Sequence, residues 1–222
     1  MTVKFLKTGY LKKVQMSHIL AGNMLDNTQP TILGVGIRGT LPTCNENGVS
    51  LKDYTAWYNM LKRCYPTKNS EHLYLSYQDC YVSEYFKHYE NFNKWWFEQV
   101  GCNETKWCLD KDILIKGNKM YSEDNCCIVP QQINALFTKA NRIRGGCPVG
   151  VSFNKSIRKF EAYFTQDNLR VRLGYYTTPE EAFLAYKIAK ETHIKQVANK
   201  WKGKIDNRVY EALMKYEVSI DD

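Results

Sequence analysis

The side chains most able to do chemistry lie in one segment, CLDKDILIKGNKMYSEDNCCIVPQQIN, at positions 108–134. Asp110, Asp112 and Asn125 offer carboxylate and amide oxygens, which suit Mg²⁺ or Mn²⁺ better than Zn²⁺. One such cation could stabilise the charge that develops on a phosphodiester during cleavage. The alternative is turn and capping chemistry, because Asp and Asn commonly occupy strand ends and helix starts.

The elements around these residues are predicted from local pattern. LDKDIL (109–114) reads as a strand, KGNK (Lys116–Lys119) as a hairpin turn, and PQQINALF (130–137) as a helix. In a compact ββα metal site, the first acidic ligand ends a strand and the second lies near the start of the following helix. The segment is therefore predicted to bring two distant residues to one hard cation.

The region from Tyr54 to Asn134 resembles the phage-type HNH endonuclease family. The residues that carry the resemblance are WYNMLKRCY, YQDCYVSEYF, FNKWWFEQV and LDKDI…GNKMYSEDNCCIVPQQIN. The resemblance implies that Asp110 and Asn125 hold the metal and that Asn134 is the last residue of the motif. It also implies metal-dependent hydrolysis of DNA.

The motif histidine, which would act as general base, is absent. Its position falls on Lys111 or Asp112, depending on the gap chosen. A lysine is protonated at neutral pH and cannot accept a proton from water, and an aspartate is a weak base. Metal-bound water ionises more readily and needs less help. The substitution predicts slow, relaxed or absent cleavage with the fold retained, and His72 is the candidate substitute base.

A second, basic region follows between residues 140 and 175. Three runs alternate apolar and polar residues, which predicts a three-stranded antiparallel meander backed by a helix. The apolar Leu169, Val171 and Leu173 are predicted to face that helix, and the intervening arginines the opposite side. The basic residues are Arg142, Arg144, Lys155, Arg158, Lys159, Arg170 and Arg172, against Glu161 and Asp167. A cationic strand face fits the DNA major groove, whereas the alternative is an ordinary solvated sheet face.

Residues 149–198 resemble the AP-two (ethylene-response-factor) type of DNA-binding domain. The matching stretches are GVSFNKSIRKFEAYF and LGYYTTPEEAFLAYKIA. The resemblance implies that the sheet enters the major groove of duplex DNA. By position, Arg158, Arg170 and Arg172 would read bases and Lys155 and Lys159 would contact phosphates, while the flanking Arg142 and Arg144 could lie along the backbone.

Helical periodicity predicts the remaining elements. Helices are expected over 51–65, capped by Ser50, and over 83–100, capped by Ser83, each with an aromatic stripe that is predicted to be core. Another helix begins after Thr178, with Glu181 completing a capping box, and a short helix ends the chain. The Gly34-Gly36-Gly39 pattern is not read as a dinucleotide site, because a turn-rich loop follows it in place of a helix.

Composition limits the kinds of partner, metal site and cellular location to be expected. The 222-residue chain has a formal net charge of +8 and a pI of about 9.0, which favours a polyanionic partner. Its eight cysteines are irregularly spaced without a C-x-x-C pair, so reduced thiols are expected and structural zinc is not. We find no apolar run near the ~20 residues of a membrane span and no signal-like start, so a cytoplasmic location is expected.

Together these observations predict an α+β chain in five segments. These are an N-terminal extension (1–50), a helical HNH-like ββα-metal nuclease domain (51–138), a basic linker (139–147), an AP-two-like sheet-and-helix domain (148–200) and a C-terminal helix (201–222).

The predicted function is a homing-like endonuclease that uses Mg²⁺ or Mn²⁺ to nick or cleave double-stranded DNA. One alternative is a nuclease-derived DNA-binding protein with weakened or absent catalysis. The other is a phage interaction protein that acts on a host factor through the aromatic region 51–100.

Overall fold

The computed structural model describes residues 1–137, 146–166 and 169–220, and it is a mixture of helices and small sheets, as predicted for an α+β chain. The chain divides after Ile128 into two compact units, 1–128 and 129–222. The segment predicted as the nuclease domain, 51–138, therefore spans this division.

The first 50 residues form two short strand pairs around one short helix. Strand β1 (Thr2–Lys4) pairs antiparallel with β2 (Leu11–Lys13), and helix α1 (Met16–Leu20) follows. Strand β3 (Pro30–Ile32) then pairs antiparallel with β4 (Gly36–Ile37).

The glycine pattern of this region serves close packing. A Cβ on Gly36 would lie 2.5 Å from Cδ1 of Leu61 and 3.0 Å from the Trp57 ring, so only glycine lets β4 approach the core. A loop follows Gly39, as the sequence predicted, and no dinucleotide-binding helix begins there. Part of the N-terminal extension thus packs on the core of the first unit.

The first predicted helix is confirmed and the second is wrong in its extent. Helix α2 covers Lys52–Cys64, with two short 3₁₀ segments (Glu71–Leu73 and Leu75–Tyr77) after it. Strand β5 (Tyr81–Val82) precedes the predicted second helix, which is in fact two helices, α3 (Glu84–Lys87) and α4 (Tyr89–Glu98).

The break between these helices coincides with a long-range backbone contact. His88 has φ −89° and ψ 118°, and its backbone forms a bridge with Ile37 in the N-terminal extension. Ser83 caps α3 as predicted, since its Oγ accepts a hydrogen bond from the Phe86 N–H at 3.2 Å. The predicted Ser50 cap is wrong, because Leu51 is the N-cap of α2 and supplies no side-chain bond.

Aromatic side chains fill the core of the first unit, which confirms the prediction made from the stripes. The Phe86 ring packs at 5.0 Å from Phe92 and 4.9 Å from Trp95, both edge-on. The Trp57 indole N–H donates to the Phe86 carbonyl at 2.7 Å. Val100, predicted to extend the stripe, lies beyond α4 and is 48% exposed.

The predicted hairpin at Lys116–Lys119 is wrong. Strand β6 (Trp107–Asp110) pairs with β8 (Cys127–Pro130), whereas β7 (Met120–Tyr121) pairs in parallel with β5. A turn does form, with Gly117 at φ 76° and the Asn118 N–H donating to the Ile115 carbonyl at 3.1 Å, but it does not join paired strands. Helix α5 (Gln131–Ala135) follows β8, inside the stretch predicted to be helical.

In the second unit the predicted meander is confirmed. Strands β9 (Val151–Asn154), β10 (Lys159–Gln166) and β11 (Leu169–Tyr176) form one antiparallel sheet in the order β11-β10-β9. Helix α6 (Pro179–Trp201) packs on it, and α7 (Asn207–Met214) is shorter than the predicted terminal helix.

Local signals for α6 are also confirmed. Thr178 and Glu181 form both bonds of the capping box. Ala162 and Ala182 are fully buried where sheet and helix meet. The prediction that Leu169 is covered by the helix is wrong, because it lies at the hairpin end and is 71% exposed. Across the described residues, no helix is both long enough and apolar enough to traverse a lipid bilayer.

The ring packing gives the first prediction. Replacing Phe86, which has no exposed surface, with Ala should lower the free energy of unfolding by about 3–5 kcal/mol, since the cavity adds to the lost transfer energy. The neighbouring Tyr85→Ala is the control, because Tyr85 is 38% exposed, and it should cost less than about 1 kcal/mol. Urea unfolding measures both, and equal losses would contradict the assignment of Phe86 to the core.

Candidate metal site and basic surface

Asp110 ends β6 and combines a raised pKa with an uncommitted oxygen. Its Oδ1 accepts hydrogen bonds from the N–H groups of Asp112 at 2.7 Å and Ile113 at 2.8 Å, which turns the chain out of the strand. Burial raises the pKa of the Asp110 carboxyl, and these two bonds offset only part of that shift. Among the described residues no group donates a hydrogen bond to the other carboxylate oxygen, Oδ2.

Lys111 and Asp112, the two positions predicted for the missing base, bind each other. The Lys111 side chain is 6% exposed, and its Nζ lies 2.8 Å from both carboxylate oxygens of Asp112. It also donates to the Asn118 carbonyl at 2.5 Å and lies 5.8 Å from the centre of the Tyr121 ring. This geometry favours a structural role for Lys111, as a charged clamp across the loop that follows β6.

Asn118 organises the same loop, and the sequence indicated it only as a turn residue. Its Nδ2 donates to the carbonyls of Lys111 at 2.8 Å and Met120 at 2.7 Å, and its Oδ1 accepts from the Met120 N–H at 3.1 Å. Its Oδ1 also accepts from Nδ2 of Asn125 at 3.5 Å. One amide side chain therefore connects the segment after Asp110 with the turn before β8.

Asn125 lies in that turn, half-buried, with its N–H donating to Ser122 Oγ at 3.4 Å. No described residue donates to its Oδ1, which leaves that oxygen available as a ligand. The next residue, Cys126, is fully buried, and its thiol pKa is raised first by burial and also by the Asp110 charge.

The core anchors this turn. The Trp95 indole N–H donates to the Glu123 carbonyl at 3.0 Å, and Ser83 Oγ donates to the Glu123 carboxylate at 3.2 Å. Trp95 belongs to the aromatic core of the first unit, and Ser83 is the N-cap of α3. The position of Asn125 is therefore set by packing as well as by its own bonds.

Two further predicted residues belong to other elements of the chain. Asn134 is half-buried on α5, in the second unit, where its carbonyl accepts from the Phe137 N–H at 3.2 Å. His72 is exposed on the first 3₁₀ segment, and no bond from it to the 110–125 loop appears in the part of the chain that the structure describes. The roles predicted for both residues stay predictions.

The potential metal ligands in the first unit are oxygen donors rather than a cluster of acidic, histidine or cysteine side chains. In the ranges 1–137, 146–166 and 169–220, no three His, Cys, Asp or Glu side chains cluster closely enough to hold a metal ion. All eight cysteines lie in the described ranges, and none forms a disulfide bond there. Asp110 and Asn125 each present one oxygen to which no described residue donates, and carboxylate and amide oxygens are ligand types that hard cations accept.

In the second unit, three of the predicted DNA contacts share one turn. Lys155, Arg158 and Lys159 are exposed on and beside the turn between β9 and β10. Asn154 Oδ1 orders this turn by accepting from the Ser156 N–H at 3.1 Å, and Arg158 takes φ 52°. The turn therefore presents three cations on a short, defined backbone.

Two other predicted contacts, Arg170 and Arg172, lie on the sheet. Their side chains are 55% and 62% exposed, and both approach Oε1 of Glu161, Arg172 at 2.9 Å and Arg170 at 3.8 Å. In the sequence, Glu161 is only one of two acidic residues among seven basic ones, since no local pattern reveals its cross-strand partners. Arg142 and Arg144 lie outside the described residues.

Comparisons with protein-family models, curated proteins and solved structures found no match to this chain. Inferences about its function therefore rest on its own residues and on general chemistry.

The Asp110 environment gives the second prediction. Without divalent cation, Asp110→Asn should be at least as stable as the native chain at neutral pH, because Asn keeps the Oδ1 acceptor and removes a partly desolvated charge. In the native chain the raised pKa means that the folded state binds the proton more tightly. The free energy of unfolding of the native chain should therefore fall as pH rises from the ordinary aspartate pKa of 3.8 toward the raised pKa of Asp110. Asp110→Asn has no such titration, so its stability should lack this pH dependence.

Magnesium should make the native chain more stable than Asp110→Asn. The free energy of unfolding of the native chain should rise by about 1.4 kcal/mol at roughly ten times the Kd for Mg²⁺, which thermal unfolding measures. Asp110→Asn should show no such rise. Asp124→Asn, an exposed carboxylate in the adjacent turn, is the matched control and should respond like the native chain. The same Mg²⁺ response in native protein and Asp110→Asn would exclude Asp110 as a ligand.

Proposed function

We propose that this protein is a metal-dependent endonuclease of the HNH type that nicks or cleaves duplex DNA. The observation that carries the proposal is that Asn118 hydrogen-bonds both to the Lys111 carbonyl, next to Asp110, and to the Asn125 side chain. Asp110 and Asn125 each also have one side-chain oxygen to which no described residue donates. The order of elements, β6, β8 and then α5, is also the order that a ββα metal site requires.

The protein groups have distinct tasks in this proposal. Asp110 Oδ2 and Asn125 Oδ1 would hold Mg²⁺ or Mn²⁺, which when bound supplies charge stabilisation to the phosphodiester. Asp110 Oδ1 stays committed to two N–H groups, so the carboxylate plane is fixed by the backbone. Lys111 and Asn118 hold the loop in one conformation and thereby keep the two ligands in place.

The second unit would supply DNA affinity. Its turn exposes Lys155, Arg158 and Lys159, and its sheet exposes Arg170 and Arg172 beside two tyrosine rings. Cations on one small domain release condensed counterions when they bind phosphates. Duplex DNA is therefore the proposed partner.

A second candidate function is DNA binding with little or no catalysis. The observation that favours it is the Lys111–Asp112 ion pair, which occupies both positions where the general base is expected. In this case Asp110 and Asn125 would no longer take part in catalysis, and DNA binding by the basic sheet would be the function.

Cleavage of supercoiled plasmid with Mg²⁺ or Mn²⁺ distinguishes these functions. If the chain is a nuclease, Asp110→Ala and Asn125→Ala should each lower the rate by at least about 100-fold, because a bound cation supplies several kcal/mol of transition-state stabilisation. Asp124→Asn should cut at the native rate, and Asn134→Ala tests the last motif position. Equal background in the native protein and both alanine variants would leave only DNA binding.

Salt dependence tests the basic surface separately. Affinity for a short duplex, measured without divalent cation at several salt concentrations, should fall linearly on logarithmic axes. Replacing Lys155 and Lys159 with Ala should reduce the slope by about 0.9 for each phosphate that the protein no longer neutralises. The control is Lys202→Ala, an exposed lysine after α6, which should leave the slope unchanged. A flat salt response in the native chain would count against DNA and favour a protein partner.

A further inference from the structure

Glu161 is a nearly buried carboxylate on the strand face that carries the arginines. Its side chain is 11% exposed, although it lies on an otherwise exposed sheet surface. Burying a carboxylate is costly unless cations and hydrogen bonds compensate. The compensation comes from Arg172, whose Nε donates to Oε1 at 2.9 Å, and from Arg170, whose terminal nitrogen lies 3.8 Å from the same oxygen.

A β-bulge creates this arrangement. Ala162 is opposite Gly174 and Tyr163 is opposite Arg172, so Leu173 has no partner across the ladder. Gly174 has φ 150°, a conformation that favours glycine. Because of the extra residue, Arg172 and Tyr175 lie on the same face, although three positions separate them.

Aromatic rings fix the two guanidinium groups further. Arg170 lies 3.6 Å from the centre of the Tyr163 ring, and Arg172 lies 5.3 Å from that of Tyr175. Stacked arginines keep their N–H edges free while their planes are constrained. Each arginine is thus restrained by the shared carboxylate and by a tyrosine ring.

The charge of this cluster argues against a purely electrostatic role. Two arginines and one glutamate leave a formal charge of +1, against +3 for Lys155, Arg158 and Lys159 on the turn. A surface built only to attract phosphates gains nothing from a buried carboxylate between its cations. A surface that reads bases does gain, because bidentate arginine contacts to guanine O6 and N7 depend on orientation.

We propose that Glu161 is a positioning residue that orients Arg170 and Arg172 to read base edges in duplex DNA. This inference rests on the proposed DNA binding and adds to it that recognition is sequence-specific. It also assigns the two roles to different places, with selectivity on the sheet and general affinity on the turn.

The test measures selectivity and affinity together. The probe is a pool of duplexes with a randomised centre, without divalent cation, from which the native chain selects a motif. The ratio of affinities for that motif and for the unselected pool is then compared across variants. Glu161→Gln should lower the ratio about 10- to 100-fold, the loss expected from one misoriented bidentate contact.

Two further variants isolate the cause. Glu180→Gln removes the same charge from an exposed site on α6 and should leave the ratio unchanged. Glu161→Asp keeps the charge but withdraws the carboxylate by one methylene, so the ratio should fall while the salt slope stays native. It also keeps the inference testable if Glu161→Gln fails to fold, which circular dichroism would reveal.

The outcomes separate the inference from the function it rests on. A native ratio in Glu161→Asp, or equal losses in Glu161→Gln and Glu180→Gln, overturns the positioning role. If the native chain binds with a steep salt slope but selects no motif, the inference fails and DNA binding stands. If the native chain shows no salt-dependent affinity for the pool, both fail.

Discussion

The packing of aromatic rings in the first unit is the constraint on which the candidate site depends. The Phe86 ring meets both Phe92 and Trp95 edge to face, and the Trp95 N–H donates to the Glu123 carbonyl. An indole hydrogen bond therefore connects the turn before β8 to the aromatic core. Since Asn125 lies in this turn, a loss of ring packing would displace an amide oxygen that is not itself part of the core.

The sequence predicted those features that depend on short-range signals. Helical spacing identified α2 and the region of α3 and α4, and the Thr178–Glu181 pair marked the start of α6. Alternation identified three strands in the second unit. In each case the residues that decide the structure lie within a few positions of one another, so the pattern contains the information.

The features that could not be predicted depend on partners far along the chain. The predicted hairpin does not form because β7 pairs in parallel with β5, which lies much earlier in the chain. His88 breaks a helix because its backbone meets Ile37, about 50 positions earlier. Residue type alone makes Asp110 and Asn125 candidate ligands. No local pattern predicts the conformation of the loop that separates them, or that Glu161 contacts both Arg170 and Arg172.

The state of Lys111 bears on how tightly the candidate site could hold a cation. Its ammonium neutralises Asp112, so of the two aspartates only Asp110 lacks an ion-pair partner among the described residues. A site with one negative charge and one amide should bind Mg²⁺ weakly by itself, because Mg²⁺ sheds its water reluctantly. A phosphodiester oxygen would add a second negative charge, and affinity for the cation and for DNA would then rise together.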